Sequence, residues 1–208
     1  MGYLDVLGVR RHWCQPGEPI LCCVGVDVRL RMFDVGGLKE DGTPQPGLAS
    51  RALRGLGWVV LVPAAVVLTA ASADDPDTGR VASSTPHLVV WGRQPECEAV
   101  RLLGSRLQQD WNGFVVVTPT RVGWFDSPPQ EGTDTPVEAR PPLTSRLEFP
   151  APSLAGPPQV VPRKLPRKYS ERRQNYLRLA LHDGSGFDLL VGNDWHAERV
   201  SAMLAGRC

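Results

Sequence analysis

The chain has 208 residues, 42% of them hydrophobic, with a formal net charge of +1. That length fits one domain with extensions, or a domain plus a small module, and is enough to bury a core. The near-neutral charge argues against a nucleic-acid binder, because such proteins carry a strong basic excess.

In the first residues, Tyr3, Leu4, Val6 and Leu7 are enough for a short helix, but no continuous apolar run marks a cleaved signal peptide. Pro16-Gly17-Glu18-Pro19 is a turn. It launches a strand over residues 20–32, continuously apolar at first and then alternating, with Val26, Val28, Leu30 and Met32 set against Asp27, Arg29 and Arg31. The cysteines are Cys14, Cys22, Cys23, Cys97 and Cys208. Their odd number and irregular spacing do not form a disulfide framework. Cys22 and Cys23 would point to opposite faces of a strand and so not share a metal. The reading is free thiols in a reducing cytosol, with no metal and no cofactor.

Residues 34–50 are rich in Gly and Pro and read as a loop. Residues 55–73 are free of charge, a length that just reaches a membrane span. Arg51 and Arg54 before the segment, and Asp74, Asp75 and Asp77 after it, would leave the N-terminal side in the cytoplasm. Pro63 and the abundance of Ala and Gly weigh the other way, toward a buried or surface-lying apolar helix. In either case Trp58, Val59, Leu61, Val66 and Leu68 are the residues that would face a membrane or a neighbouring chain.

Residues 74–86 read as a linker and residues 87–91 as a strand. Residues 95–110 have helical spacing, with Ala99, Val100, Leu102, Leu103 and Leu107 on one stripe. Pro95, Glu96 and Glu98 suit the start of that helix. Phe114-Val115-Val116-Val117 runs into Thr118-Pro119-Thr120-Arg121 and resumes as Val122-Gly123-Trp124-Phe125. Residues 127–143 read as a proline-rich loop, residues 147–149 as a short strand, and residues 150–169 as more prolines leading into a basic cluster. The run from Tyr176 to Leu181 alternates, turns at Asp183-Gly184-Ser185-Gly186, and returns as Phe187 to Val191. A short amphipathic helix over residues 194–204 follows. It is capped by Asn193 or Asp194 and offers Trp195, Val200, Met203 and Leu204 to close an open barrel end.

The Thr118-Pro119-Thr120-Arg121 turn between two apolar strands, the late Asp183-Gly184-Ser185 hairpin and the closing helix together resemble the bacterial pleckstrin-homology-like (PH-like) domains. Pro16-Gly17-Glu18-Pro19-Ile20-Leu21 looks like the Gly-Glu-led first strand of the same domains. The resemblance implies an α+β fold, a PH-like small antiparallel β-barrel or sandwich capped by a C-terminal helix, and a binding role. The implied division is an extension with a first strand over 1–33, an insertion over 34–111 holding the apolar segment and the helix, and a PH-like domain over 112–208. Arg121, just after a turn, is placed to tie loop carbonyls together.

Arg163, Lys164, Arg167, Lys168, Arg172 and Arg173 cluster within a short stretch opposed only by Glu171. Such a cluster can meet anionic lipid headgroups or an acidic protein. It can equally be a solvated loop face. His12, His87, His182 and His196 are scattered, and no nucleophile elbow, His-Glu-x-x-His or phosphate loop is present. The expectation is therefore a non-catalytic binding or adaptor module that binds no nucleic acid. It would be cytoplasmic, with peripheral or single-span attachment to the inner membrane left open. The alternative is a structural, homo-oligomer-forming subunit whose residues 55–73 pack on another chain.

Overall fold

The computed structural model describes residues 6–45, 84–106, 111–127, 143 and 145–207. Among them, nine strands form two sheets. The first sheet has the order β1-β4-β5-β6, built from Cys22–Asp27, Asn112–Val117, Arg121–Asp126 and Ser145–Pro150, and every pairing in it is antiparallel. The second has the order β2-β3-β9-β8-β7, from Arg31–Val35, Leu88–Gly92, Gly186–Gly192, Arg173–Ala180 and Gln159–Lys164. Only its β2–β3 pair is parallel. Strands from before residue 112 thus complete both sheets.

The architecture is α+β, as the alternation predicts, but the sheets do not close into a barrel. The expected single strand over residues 20–32 breaks at a 3-10 turn, Val28–Leu30. There the Asp27 carboxylate accepts the Arg29 backbone N–H at 3.0 Å, a local bond that competes with the ladder. The bend carries the chain from β1 in one sheet to β2 at the far edge of the other. On the opposite side, β6 passes to β7 through the 3-10 turn Ala151–Ser153 and the Pro157-Pro158 pair, which has no donors to close a ladder. A Leu154–Leu181 bridge is what the passage makes with the second sheet.

The core lies between the sheets. Val24, Val26, Val115, Val117 and Trp124 of the first meet Leu88, Val90, Leu177, Leu179, Phe187 and Leu189 of the second. Trp124 packs 5.7 Å from Trp111 and 5.3 Å from Phe187, ring centre to ring centre. Gly113 is needed here, since a Cβ would overlap the Phe125 carbonyl and the Trp111 ring. Helix α1, Val6–His12, covers the outer face of the first sheet by inserting fully buried Val9 against Phe114, Val116 and Phe125.

Helix α2, Glu98–Arg106, starts later than Pro95, because residues 95–97 turn. Its cap comes from the β8–β9 hairpin. The Asp183 carboxylate accepts the Glu98 N–H at 2.7 Å, and Ser185 Oγ accepts the Ala99 N–H at 3.2 Å. Helix α3, Asp194–Leu204, is capped by Asn193, which accepts the His196 N–H at 3.0 Å. Its Ala197 and Val200 face inward. Trp195 does not close the core. It lies about half a turn from that face and is 60% exposed.

Candidate functional site

Two polar constellations and one groove stand out. In the first constellation, the Gly17-Glu18 turn and the Thr118–Arg121 turn, both singled out in the sequence, come together. The Glu18 carboxylate accepts Thr118 Oγ1 at 2.6 Å, the Thr120 hydroxyl, the Gln15 N–H at 2.8 Å and Arg121 Nη2 at 3.2 Å. Arg121 also donates to the Trp13 carbonyl at 2.5 Å and to Glu148 at 3.2 Å, and it lies 4.3 Å over the Trp13 ring. Burial would raise the Glu18 pKa, but these hydrogen bonds outweigh it and hold the carboxyl down at about 2. With its charge matched by two carboxylates, Arg121 is a clasp between the β4–β5 turn and the entry to β1.

The second constellation lies on the outer face of the second sheet. Asp188 is fully buried and bonds Arg178 Nε at 2.8 Å, Arg163 Nη1 at 2.5 Å and Trp91 Nε1 at 3.0 Å. Arg163 also reaches Asp34. Nearby, Met32, Val89 and Tyr176 form an outer apolar cluster roofed by Leu165 and Tyr169 from the β7–β8 turn.

That turn carries the basic cluster, and the structure divides it. Arg163, with an 11% exposed side chain, is spent on Asp188 and Asp34. Lys168 pairs with Glu40 at 2.6 Å. Lys164, Arg167, Arg172 and Arg173 are exposed and have no ion-pair partner among the described residues. Lys164 and Arg173 sit directly opposite one another in the ladder, an arrangement that like-charge repulsion disfavours unless an anion relieves it. Because Leu165 and Tyr169 are buried anchors, these cations stand on a fixed hairpin. The anchoring was visible in sequence only as two apolar residues among charges.

The catalytic alternatives find other uses. His182 contacts the Pro152 carbonyl at 2.9 Å, His196 contacts its own helix cap at 2.7 Å, and Asp183 and Ser185 serve the turn and the α2 cap. Cys22 and Cys23 face opposite sides of β1, and burial pushes both thiols up to about 12. Among the described residues, no three His, Cys, Asp or Glu side chains gather as a metal group, and no helix is long and apolar enough to cross a membrane. Trp58, Val59, Leu61, Val66 and Leu68 lie outside the described residues.

The groove, which the sequence did not disclose, is a row of hollows along β7 that passes between this strand and α3 only in its middle. At one end is a largely apolar hollow of about 540 Å³ bounded by Leu21, Leu154, Pro157 and Leu204. At the other, Lys164, Arg172 and Arg173 border a hollow of about 480 Å³. No family model, curated protein or solved structure matches the chain in comparison.

Proposed function

We propose that the chain is a non-catalytic, PH-like binding module that docks an acidic partner or an anionic surface through its β7–β8 hairpin. The observation that carries this reading is the group of four exposed cations, Lys164, Arg167, Arg172 and Arg173, without an ion-pair partner among the described residues, on a hairpin pinned by buried Leu165 and Tyr169. Because the hairpin backbone is already held, an anion's arrival orders side chains only, and the cations steer its approach. The Thr118–Arg121 turn clasped to Glu18, the Asp183 hairpin and the closing helix support the PH-like part of the reading. The module would work in the cytoplasm or at the inner membrane face.

The test uses two anionic probes, phosphatidylglycerol vesicles and poly-glutamate, against the chain and a Lys164→Glu, Arg167→Glu, Arg172→Glu, Arg173→Glu variant. The chain is expected to bind at least one probe, more weakly as salt rises, and the variant neither. Absence of binding to both probes, or equal binding by the variant, overturns the proposal.

A further inference from the structure

The edge of β7 turns a patch of charge into a shaped site. β7 is the last strand of its sheet among the described residues, and one side of its backbone pairs with no described strand. Leu165 donates its N–H to the Arg172 carbonyl at 2.8 Å, which fixes the ladder's phase. Residues 159, 161 and 163 then bond toward β8, and Val160, Pro162 and Lys164 turn their backbone groups outward.

Three hollows follow this edge. The apolar one lies beside Pro157, Pro158 and Gly206. A middle one of about 470 Å³ lies between Val160, Pro162 and the β8 residue Asn175 on one side and Glu198, Ser201 and Arg207 on the other. The basic one begins at Pro162, which lines both it and the middle hollow. Gly206 and Arg207, adjacent in the chain, link the first hollow to the middle one. From Pro158 to Lys164 the strand spans roughly 20 Å, the reach of about six extended residues.

We propose that this groove takes an extended protein segment, acidic where it meets Lys164, Arg172 and Arg173, and anchored by a bulky apolar side chain between Leu154 and Leu204. The proposal rests on the binding-module reading above and names its partner. A bilayer is broad and flat and cannot enter a channel between a strand edge and a helix. An extended backbone can, and it meets the outward groups of Val160, Pro162 and Lys164 at the two-residue spacing that strand addition uses. Pro162 has no N–H, so the edge offers a broken ladder. That break favours a short segment held by its side chains over open-ended pairing between copies of the sheet. The charge gradient sets direction. The middle hollow carries Asp194 and Glu198 against Arg207, a net negative charge that repels acidic residues toward the Lys164 end.

The probe is a fluorescein-labelled peptide with a glutamate run at one end, a Val/Thr spacer and a leucine at the other, made in both chain directions. Phosphatidylglycerol vesicles serve as the second arm. Anisotropy should show binding of one direction over the other. Lys164→Glu with Arg173→Glu, and separately Ser201→Trp to fill the middle hollow, should each weaken binding about tenfold or more. The largest backbone amide shifts should fall on Val160, Lys164 and Ser201, and thermal unfolding should confirm that both variants stay folded. If shifts stay on Arg167 and Arg172 and Ser201→Trp binds normally, the groove proposal is overturned while the basic-hairpin reading survives. Vesicle binding without peptide binding has the same meaning. Binding of neither probe overturns both.

Discussion

Glu18 and Arg121, 103 positions apart, meet at 3.2 Å with the Glu18 side chain only 5% exposed. The contact fastens the turn after β4 to the segment that enters β1, across the open end of the first sheet.

That clasp gives the acid stability of the fold a defined origin. A glutamate ordinarily titrates at 4.5, whereas folded Glu18 does so at about 2. Its folded pKa is depressed, so its stabilisation is complete above the ordinary value and is lost as pH falls toward about 2. Glu18→Gln should cost about 2 kcal/mol at neutral pH and flatten this acid limb. Urea unfolding of both proteins between neutral pH and pH 3 checks it; an unchanged acid limb in the variant rejects it.

Neighbouring cations should behave oppositely. Arg163→Met leaves fully buried Asp188 with one cation fewer and should destabilise by about 3 kcal/mol. Lys164→Ala removes an exposed charge without an ion pair among the described residues and should change stability by less than about 0.5 kcal/mol. Denaturant midpoints of the two variants decide it.

The reading from sequence succeeded where partners are local. Alternation marked the β8–β9 strands, and Asp183-Gly184 marked their turn, with Gly184 at φ 76°. β7 was hidden among Pro157, Pro158 and Pro162, which argue against a strand in general. They are compatible with an edge strand whose missing donor faces away from its neighbour. The bend at Asp27 was hidden because the apolar alternation runs through it without a break. Within the basic cluster, nothing local separates Arg163 from Lys164. The difference comes from Asp188, 25 positions away and buried in another strand.

Tryptophans that look alike in sequence should also separate. Trp195→Ala should cost less than about 0.5 kcal/mol, since the side chain is largely in solvent. Trp124→Ala, at 0% exposure between Trp111 and Phe187, should cost about 4 kcal/mol. Acrylamide quenching gives a second reading, because Trp195→Phe should remove the most readily quenched emission among the described tryptophans.

Asp183→Ala should fray α2 as well as the hairpin. The carboxylate caps Glu98 across 85 positions and orders Ser185 beside it. A loss of about 1 kcal/mol is expected. The Glu98 and Ala99 amides should exchange with deuterium faster, and unchanged exchange there would contradict the capping role.

The middle position of β9 in the second sheet governs how the molecule can be made. Leu88 pairs with Leu189, so the strand that joins β3 to β8 is synthesised after both of them. Until it emerges, β3 lacks its neighbour on that side and the roof over Met32 and Val89 has nothing to rest on. Sheet assembly therefore waits for synthesis to reach β9, and pairing across such sequence separations is slow. Ribosome-stalled chains ending before residue 186 should remain protease-sensitive, and those carrying β9 clear of the exit tunnel should not.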